Sequence, residues 1–599
     1  MRFFFRVRRG WPTIGLALAA GLVVADCLFV AGPYLIHFHM KSLWPLILSA
    51  VAMYVGLFVA LDLAVQWLGP DRARRSGWLR GGILLTVALA LVVASGEARS
   101  IPLLGLAAVF AVLTLGRPTW PIAALAAVLA LQPLFEPPLV SERAPRADAP
   151  RPPEDDRPPS FLVVVLDTLR ADHTSAYGYE RNTTPNLARL ASRGIRFDDA
   201  YATGCWSLPS HASLFTGLIA SRHGAHNEHL ALEGDHPTLA EILTRHGYQT
   251  ASFTGNPWIG DGTGMARGFQ LNHESWRTGW LDLMLLANRV YIGLLAPDGD
   301  KGGADTVEAL ERWLAERDPE RPYFAFVNVF EAHAPYQRVP RRFRRRFARP
   351  DLSLRALEAV GMRVHAATQH GSRLSAEDAA TGLDLLDGAA AAADDVLGRI
   401  LDLVGDEAIV AVMADHGELF GEHALFGHSN TLYEPLVRVP MVLAGKDLPA
   451  GRAVEATVSL ADVMPTLLAL ADIQPPPALD GIDLGPLLAG DASPDARRVR
   501  AEQFRSPDGR SWRRHRPGEA VYLLARKQAV VGGGLKRIVA EDGSDVGYDL
   551  HADPAEERPF PGRGTRLSAW VPEPDPESQP VPLDALPRKM LQVLGYLQQ

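Results

Sequence analysis

Phe161-Leu162-Val163-Val164-Val165-Leu166-Asp167 is the stretch that decides the fold. An unbroken apolar run with no polar face suits a strand buried on both sides of a sheet. Two more runs repeat the pattern. Residues 323–330 are followed by Glu331 and His333, and residues 408–413 by Asp415 and His416. Helical patterns lie between them, one opening at Thr184-Pro185 and running to about Gly194. Buried strands alternating with helices predict an α/β fold, a mainly parallel sheet flanked by helices. Ligands bind outside the carboxyl ends of such strands. The ionisable residues that follow the three runs are therefore expected along one edge.

A second stretch supplies a nucleophile. Ser207-Leu208-Pro209-Ser210-His211-Ala212-Ser213-Leu214-Phe215-Thr216-Gly217 reads as a helix with Pro209 just inside its start and Gly217 past its end. Free backbone N–H groups at such a start favour anions. A hydroxyl aimed at an anion is what attack on a phosphate or sulfate ester requires. Asp167, Asp415 and His416 offer carboxylate and imidazole ligands for a divalent cation, and Ser207 would complete the set. Coordination lowers the pKa of a hydroxyl and makes it a nucleophile near neutral pH.

The order of these motifs resembles the sulfatase family of the alkaline phosphatase superfamily. The first metal motif would be Val165-Leu166-Asp167-Thr168-Leu169-Arg170-Ala171-Asp172-His173, and the second Asp415-His416-Gly417-Glu418 continuing to Gly421-Glu422-His423. The nucleophile motif matches at Ser207, Pro209, Ser210, Leu214, Thr216 and Gly217. Glu331-Ala332-His333-Ala334-Pro335-Tyr336 is similar to a substrate-contacting histidine segment. Gly427-His428, Tyr433-Glu434, Val437-Arg438-Val439-Pro440, Asp462-Val463-Met464-Pro465-Thr466 and Asp480-Gly481 match later signatures, so the likeness runs over about 160–555. It implies that Asp167, Asp415, His416 and Ser207 hold a divalent cation (Ca, Mn, Mg or Zn). It makes Ser207 the nucleophile and puts His333 and His428 on the ester. His211, His223 and His423 are further candidates, His211 within the catalytic set. Three departures stand out: Thr168 replaces a second aspartate, His428 stands where many members have lysine, and His211 stands where the nucleophile motif has arginine. That arginine is what conversion to formylglycine reads, so Ser207 is expected to remain serine.

The composition frames this site. With 599 residues, a net charge of −8 and two cysteines, the chain carries neither a nucleic-acid footprint nor a disulfide framework. Apolar runs at roughly 12–36, 42–68, 80–95, 101–115 and 120–136 predict an all-α membrane domain of about five helices over 1–136. Arg2, Arg6, Arg8 and Arg9 before the first run, and Arg72, Arg74, Arg75 and Arg80 before the third, place the N-terminus inside. Five crossings then put the rest in the periplasm or outside the cell. A Pro-rich linker is expected over 137–160, the sulfatase-like catalytic domain over 161–500 and a small α+β subdomain over 501–599. Specificity falls to loops such as 270–300 and 340–375. The basic cluster from Arg341 to Arg349 reads as a solvated helix face.

The expectation is a membrane-anchored, metal-dependent hydrolase of sulfated or phosphorylated glycans or lipids, with the lipid bilayer as its other partner. The layout also resembles lipoteichoic-acid synthases and phosphoethanolamine transferases, so transfer of a phospho-alcohol is the alternative. An inactive envelope-binding protein is a third. A reporter that works only outside the cytoplasm, fused after Ser160, should be active. A stable but inactive fusion would contradict the five crossings.

Overall fold

A computed structural model describes residues 140–142, 157–275, 300–370, 374–490, 497–505 and 525–562. All of them fall within one compact unit. The five apolar runs lie outside the described residues, and among those described no helix is long and apolar enough to cross a membrane.

The core is a nine-stranded sheet. In chain order its strands are β1 (Val140–Glu142), β2 (Ser160–Leu166), β3 (Ile195–Phe197), β4 (Gln249–Thr254), β5 (Leu271–Glu274), β6 (Tyr323–Val329), β7 (Ala408–Met413), β8 (Met441–Ala444) and β9 (Arg452–Val454). In space they run β1-β5-β4-β6-β2-β7-β8-β3-β9. The five strands from β5 to β7 are parallel. β1 and β8 pair antiparallel with their neighbours, so the sheet is mixed and mainly parallel. β1 lies inside the stretch read as a linker. The central β2 is buried along residues 161–166, as an all-apolar strand between parallel neighbours must be.

Helices flank the sheet: α1 (Pro185–Ser192), α2 (Ser207–Thr216), α3 (Gly303–Glu316), α4 (Leu354–His370) and α5 (Ala376–Val404). α1 and α3 pack on α5, while α2 packs on the helices Leu239–Arg245 and Val463–Leu470. α4 corrects the expectation of a loop over 340–375. Its Leu357, Val360, Val364 and Ala367 recur at helical spacing and are buried. α1 is also capped differently from expectation. The Thr184 side chain does not cap it and instead accepts from Ser175 N at 2.9 Å. The buried Asp394 on α5 accepts from the backbone N–H groups of Asn186 and Leu187, both at 2.9 Å. A carboxylate from another helix thus satisfies donors that α1 cannot satisfy itself.

The C-terminal subdomain is a five-stranded antiparallel sheet: β10 (Val499–Gln503), β11 (Lys527–Gly532), β12 (Leu535–Ala540), β13 (Asp545–Asp549) and β14 (Phe560–Pro561). It contains no helix among the described residues. The basic cluster before α4 is internally paired: Arg344 meets Glu358 at 3.0 Å, Arg342 meets Asp395 at 3.0 Å and Arg349 meets Glu377 at 2.9 Å.

Asp394→Ala should cost about 1–3 kcal/mol, the penalty for unpaired buried N–H groups and a lost cap. Denaturant unfolding checks this, and an unchanged midpoint would contradict the capping role.

Candidate active site and metal centre

The parallel register brings the acidic motifs together. Leu166 pairs with Val329, and Val165 with Met413, so Asp167 and Asp415 leave adjacent strands at the same edge. Both are buried, as is His416. One ligand atom from each of Asp167, Asp415 and His416 lies within 4.8 Å of the others.

Thr168 makes this approach possible. Its φ of 60° is in the left-handed region, which a β-branched residue enters only under strain. There its backbone N–H donates to Asp415 Oδ1 at 3.2 Å, alongside His416 N at 3.0 Å. Gly417 then passes close to the short helix Glu434–Val437, where a Cβ would lie 2.0 Å from the Pro435 carbonyl.

Ser207 begins α2 from the opposite side. Its Oγ accepts from Asn256 Nδ2 at 2.9 Å and lies 3.4 Å from His416 Nε2. Asn256 and Asn328 both donate to Asp167 Oδ2, at 2.7 and 3.0 Å. The other carboxylate oxygens, Asp167 Oδ1 and Asp415 Oδ2, are buried and accept no hydrogen bond. Two carboxylates with unused oxygens, an imidazole nitrogen and a hydroxyl form a donor set that suits a divalent cation. Burial raises the Asp415 carboxyl above its usual range, with His211 and the two backbone N–H groups opposing it.

Three imidazoles meet on the open side. The His428 ring lies 4.7 Å from that of His416 and 5.1 Å, edge-on, from that of His333. Burial lowers His416 and His333, each to about 4. His428 differs. Burial would lower it too, but the Glu418 carboxylate, 2.9 Å from its Nδ1, raises it above the usual imidazole value. Burial would raise Glu418; His428 outweighs that and holds it at about 2. Tyr336 OH donates to the other Glu418 oxygen at 3.1 Å, and Arg170 Nη1 to its carbonyl at 3.0 Å.

His211 lies behind Ser207 and is almost fully buried. Its Nδ1 is 2.8 Å from the Ser207 carbonyl and 3.5 Å from Asp415 Oδ2, and its ring packs edge-on against Phe326. His223 is elsewhere, bonded to Ser213 Oγ at 3.1 Å, and His423 stacks on Tyr433 at 3.7 Å. Neither reaches the site. Glu331 does not point into it either; its Oε1 accepts from Gly303 N at 2.8 Å. Sequence reasoning missed Asn256 and Asn328, and quoted Glu418 without seeing it as the partner of His428. Asn328, a lone amide inside an apolar strand, carried a visible signal.

Comparison with known proteins points to one family. A family model described as Sulfatase matches residues 159–473. The chain is 26% identical over 434 residues to arylsulfatase K of Mus musculus, covering 66% of this chain and 75% of that protein. It is 28% identical over 400 residues to the multifunctional alkaline phosphatase superfamily protein PehA of Trinickia caryophylli, covering 55% and 77%. The solved phosphonate monoester hydrolase of Agrobacterium radiobacter superposes with a TM-score of 0.53 at 25% identity, over 66% of this chain and 90% of that one.

Removing one carboxylate from such a donor set leaves the rest uncompensated. Asp415→Ala in the full-length protein should lose bound cation and activity together. Full metal occupancy in that variant, by elemental analysis, would contradict the ligand set.

Proposed function

The chain belongs to the sulfatase family and is a hydrolase of sulfuric or phosphoric esters, and from that premise we propose that an unmodified Ser207 attacks the ester directly. One observation carries this. Ser207 Oγ lies within reach of Asn256 and His416 at the start of α2, beside the unused oxygens of Asp167 and Asp415. A divalent cation held by Asp167, Asp415, His416 and Ser207 would activate the hydroxyl and draw charge from an ester oxygen. The imidazole among the ligands favours Zn, and the two carboxylates also suit Mn.

The remaining steps fall to side chains. The substrate anion sits over the N-terminal turn of α2. Ser207 Oγ gives up its proton to water and forms a bond to phosphorus or sulfur, and the bond to the leaving oxygen breaks. His428, whose proton the Glu418 carboxylate helps to hold, gives that proton to the leaving oxygen. His333 lines the same side. Water then attacks the seryl ester, the bond to Ser207 breaks, and the Oγ regains a proton.

Serine rather than formylglycine favours phosphorus. Formylglycine hydrate expels sulfate by elimination, a route closed to a plain seryl ester. A phosphoserine is hydrolysed at phosphorus with metal assistance. His211 in the position of the motif's arginine makes Ser207 a poor target for conversion. The names of two relatives, a phosphonate monoester hydrolase and a multifunctional member of the superfamily, are consistent with phosphoryl chemistry. We place this catalytic domain outside the cytoplasm, anchored in the membrane through residues 1–136.

Phosphate diesters or phosphonate esters should turn over faster than sulfate esters. Peptide mass spectrometry across 204–222 should find serine at 207, and rapid quench with a phosphate ester should leave phosphate on it. Formylglycine at 207, or turnover of sulfate esters alone, would overturn the phosphoryl reading.

A further inference from the structure

The loop that carries His333 is held by a lysine from elsewhere in the chain. Lys301 lies two residues before α3. Its ammonium donates to the Glu331 carbonyl at 2.9 Å and to the His333 carbonyl. The clamp is reciprocal. Gly303 N, at the first turn of α3, donates to Glu331 Oε1 at 2.8 Å. A side chain at 303 would not fit, because a Cβ there would lie 2.4 Å from that oxygen. Asp300 fixes the turn that presents the lysine, accepting from Gly302 N at 3.1 Å and Ala304 N at 2.9 Å.

The contacts of His333 itself are mostly local. Its Nδ1 is 2.6 Å from the Ala334 carbonyl, its N–H bonds the Phe330 carbonyl at 3.2 Å, and its ring stacks on Phe330 at 4.3 Å. These bonds shape residues 330–334 but do not tie them to the rest of the fold. The ammonium does so. It spans two carbonyls two residues apart, which a point donor with three rotatable hydrogens can satisfy together. Strand β6 ends just before this loop, so the sheet no longer fixes the backbone there.

We propose that Lys301 is a positioning residue: by holding the Glu331 and His333 carbonyls, it aims the His333 imidazole at the ester over Ser207. The proposal rests on the assignment of His333 to the ester-binding side. Together with the Gly303 N–H on Glu331, it anchors the loop to the start of α3. A methionine at 301 would keep the packing of the stem and lose both bonds. An arginine would keep the charge and two donors, in a less compact head.

The test is steady-state kinetics on full-length K301M, K301R, H333A and the K301M/H333A double variant, with melting temperatures. The substrate is whichever aryl ester the wild type cleaves fastest among p-nitrophenyl phenylphosphonate, bis-p-nitrophenyl phosphate and p-nitrophenyl sulfate. K301M should lower kcat by about 10-fold or more with KM within about 2-fold and melting little changed. K301R should recover much of the loss. Adding K301M to H333A should cost nothing further, because the lysine acts through the histidine. Losses that multiply in the double variant would overturn the proposal, as would a K301M enzyme as fast as wild type. If K301M does not fold, K301Q enters the same cycle with the same two outcomes. H333A at the wild-type rate would remove His333 from the site and the positioning role with it. A slow H333A beside a fast K301M would leave the site intact and remove only Lys301.

Discussion

Two carboxylates, Asp167 and Asp415, are buried side by side where adjacent parallel strands end, and the site is organised by that proximity. Like charges this close in a low-dielectric interior repel strongly and are tolerated only with compensation. The fold supplies part of it. Backbone N–H groups of Thr168 and His416 face one Asp415 oxygen, and the amides of Asn256 and Asn328 face one Asp167 oxygen. The oxygens left over are those that a cation can take. The strained turn at Thr168 belongs to the same arrangement, with its N–H donating to Asp415.

Outward from this centre, the histidines are set by their own partners. Glu418 raises the pKa of His428, while burial lowers those of His416 and His333. The C-terminal sheet braces the same parts from below. Glu502 N bonds the Thr203 carbonyl at 2.8 Å, ahead of the nucleophile, and Lys527 reaches the Asn430 carbonyl at 3.3 Å, beyond His428. Lys536 sits between Glu434 and Glu556, 2.9 Å from each, with all three largely buried. Removing either carboxylate there would leave the ammonium short of a partner in an apolar surround. The small sheet is thus part of the catalytic scaffold.

Much of this was legible in the sequence because the chemistry sits at punctuation marks. Asp167, Asp415 and His416 follow all-apolar runs, and Ser207 opens a helix bracketed by Pro209 and Gly217, so their meeting at one edge could be read from position. The rest depends on contacts between distant segments. Asn256 follows β4, whose Thr250, Ser252 and Thr254 alternate with apolar residues and hide its burial on both faces. Lys301 and Asp394 act on partners 30 and more than 200 residues away, and no local pattern announces them. Over 340–375 the arginine-rich approach to α4 masks the apolar spacing of Leu357, Val360 and Val364.

The central claim is that the four residues form one cation site around an unmodified serine. Crystals of the protein grown with Mn²⁺ and measured at the manganese absorption edge test it most directly. The account predicts a single anomalous peak bounded by Asp167, Asp415, His416 and Ser207, with a serine side chain at 207. No peak there, or one seated on other residues, would contradict it.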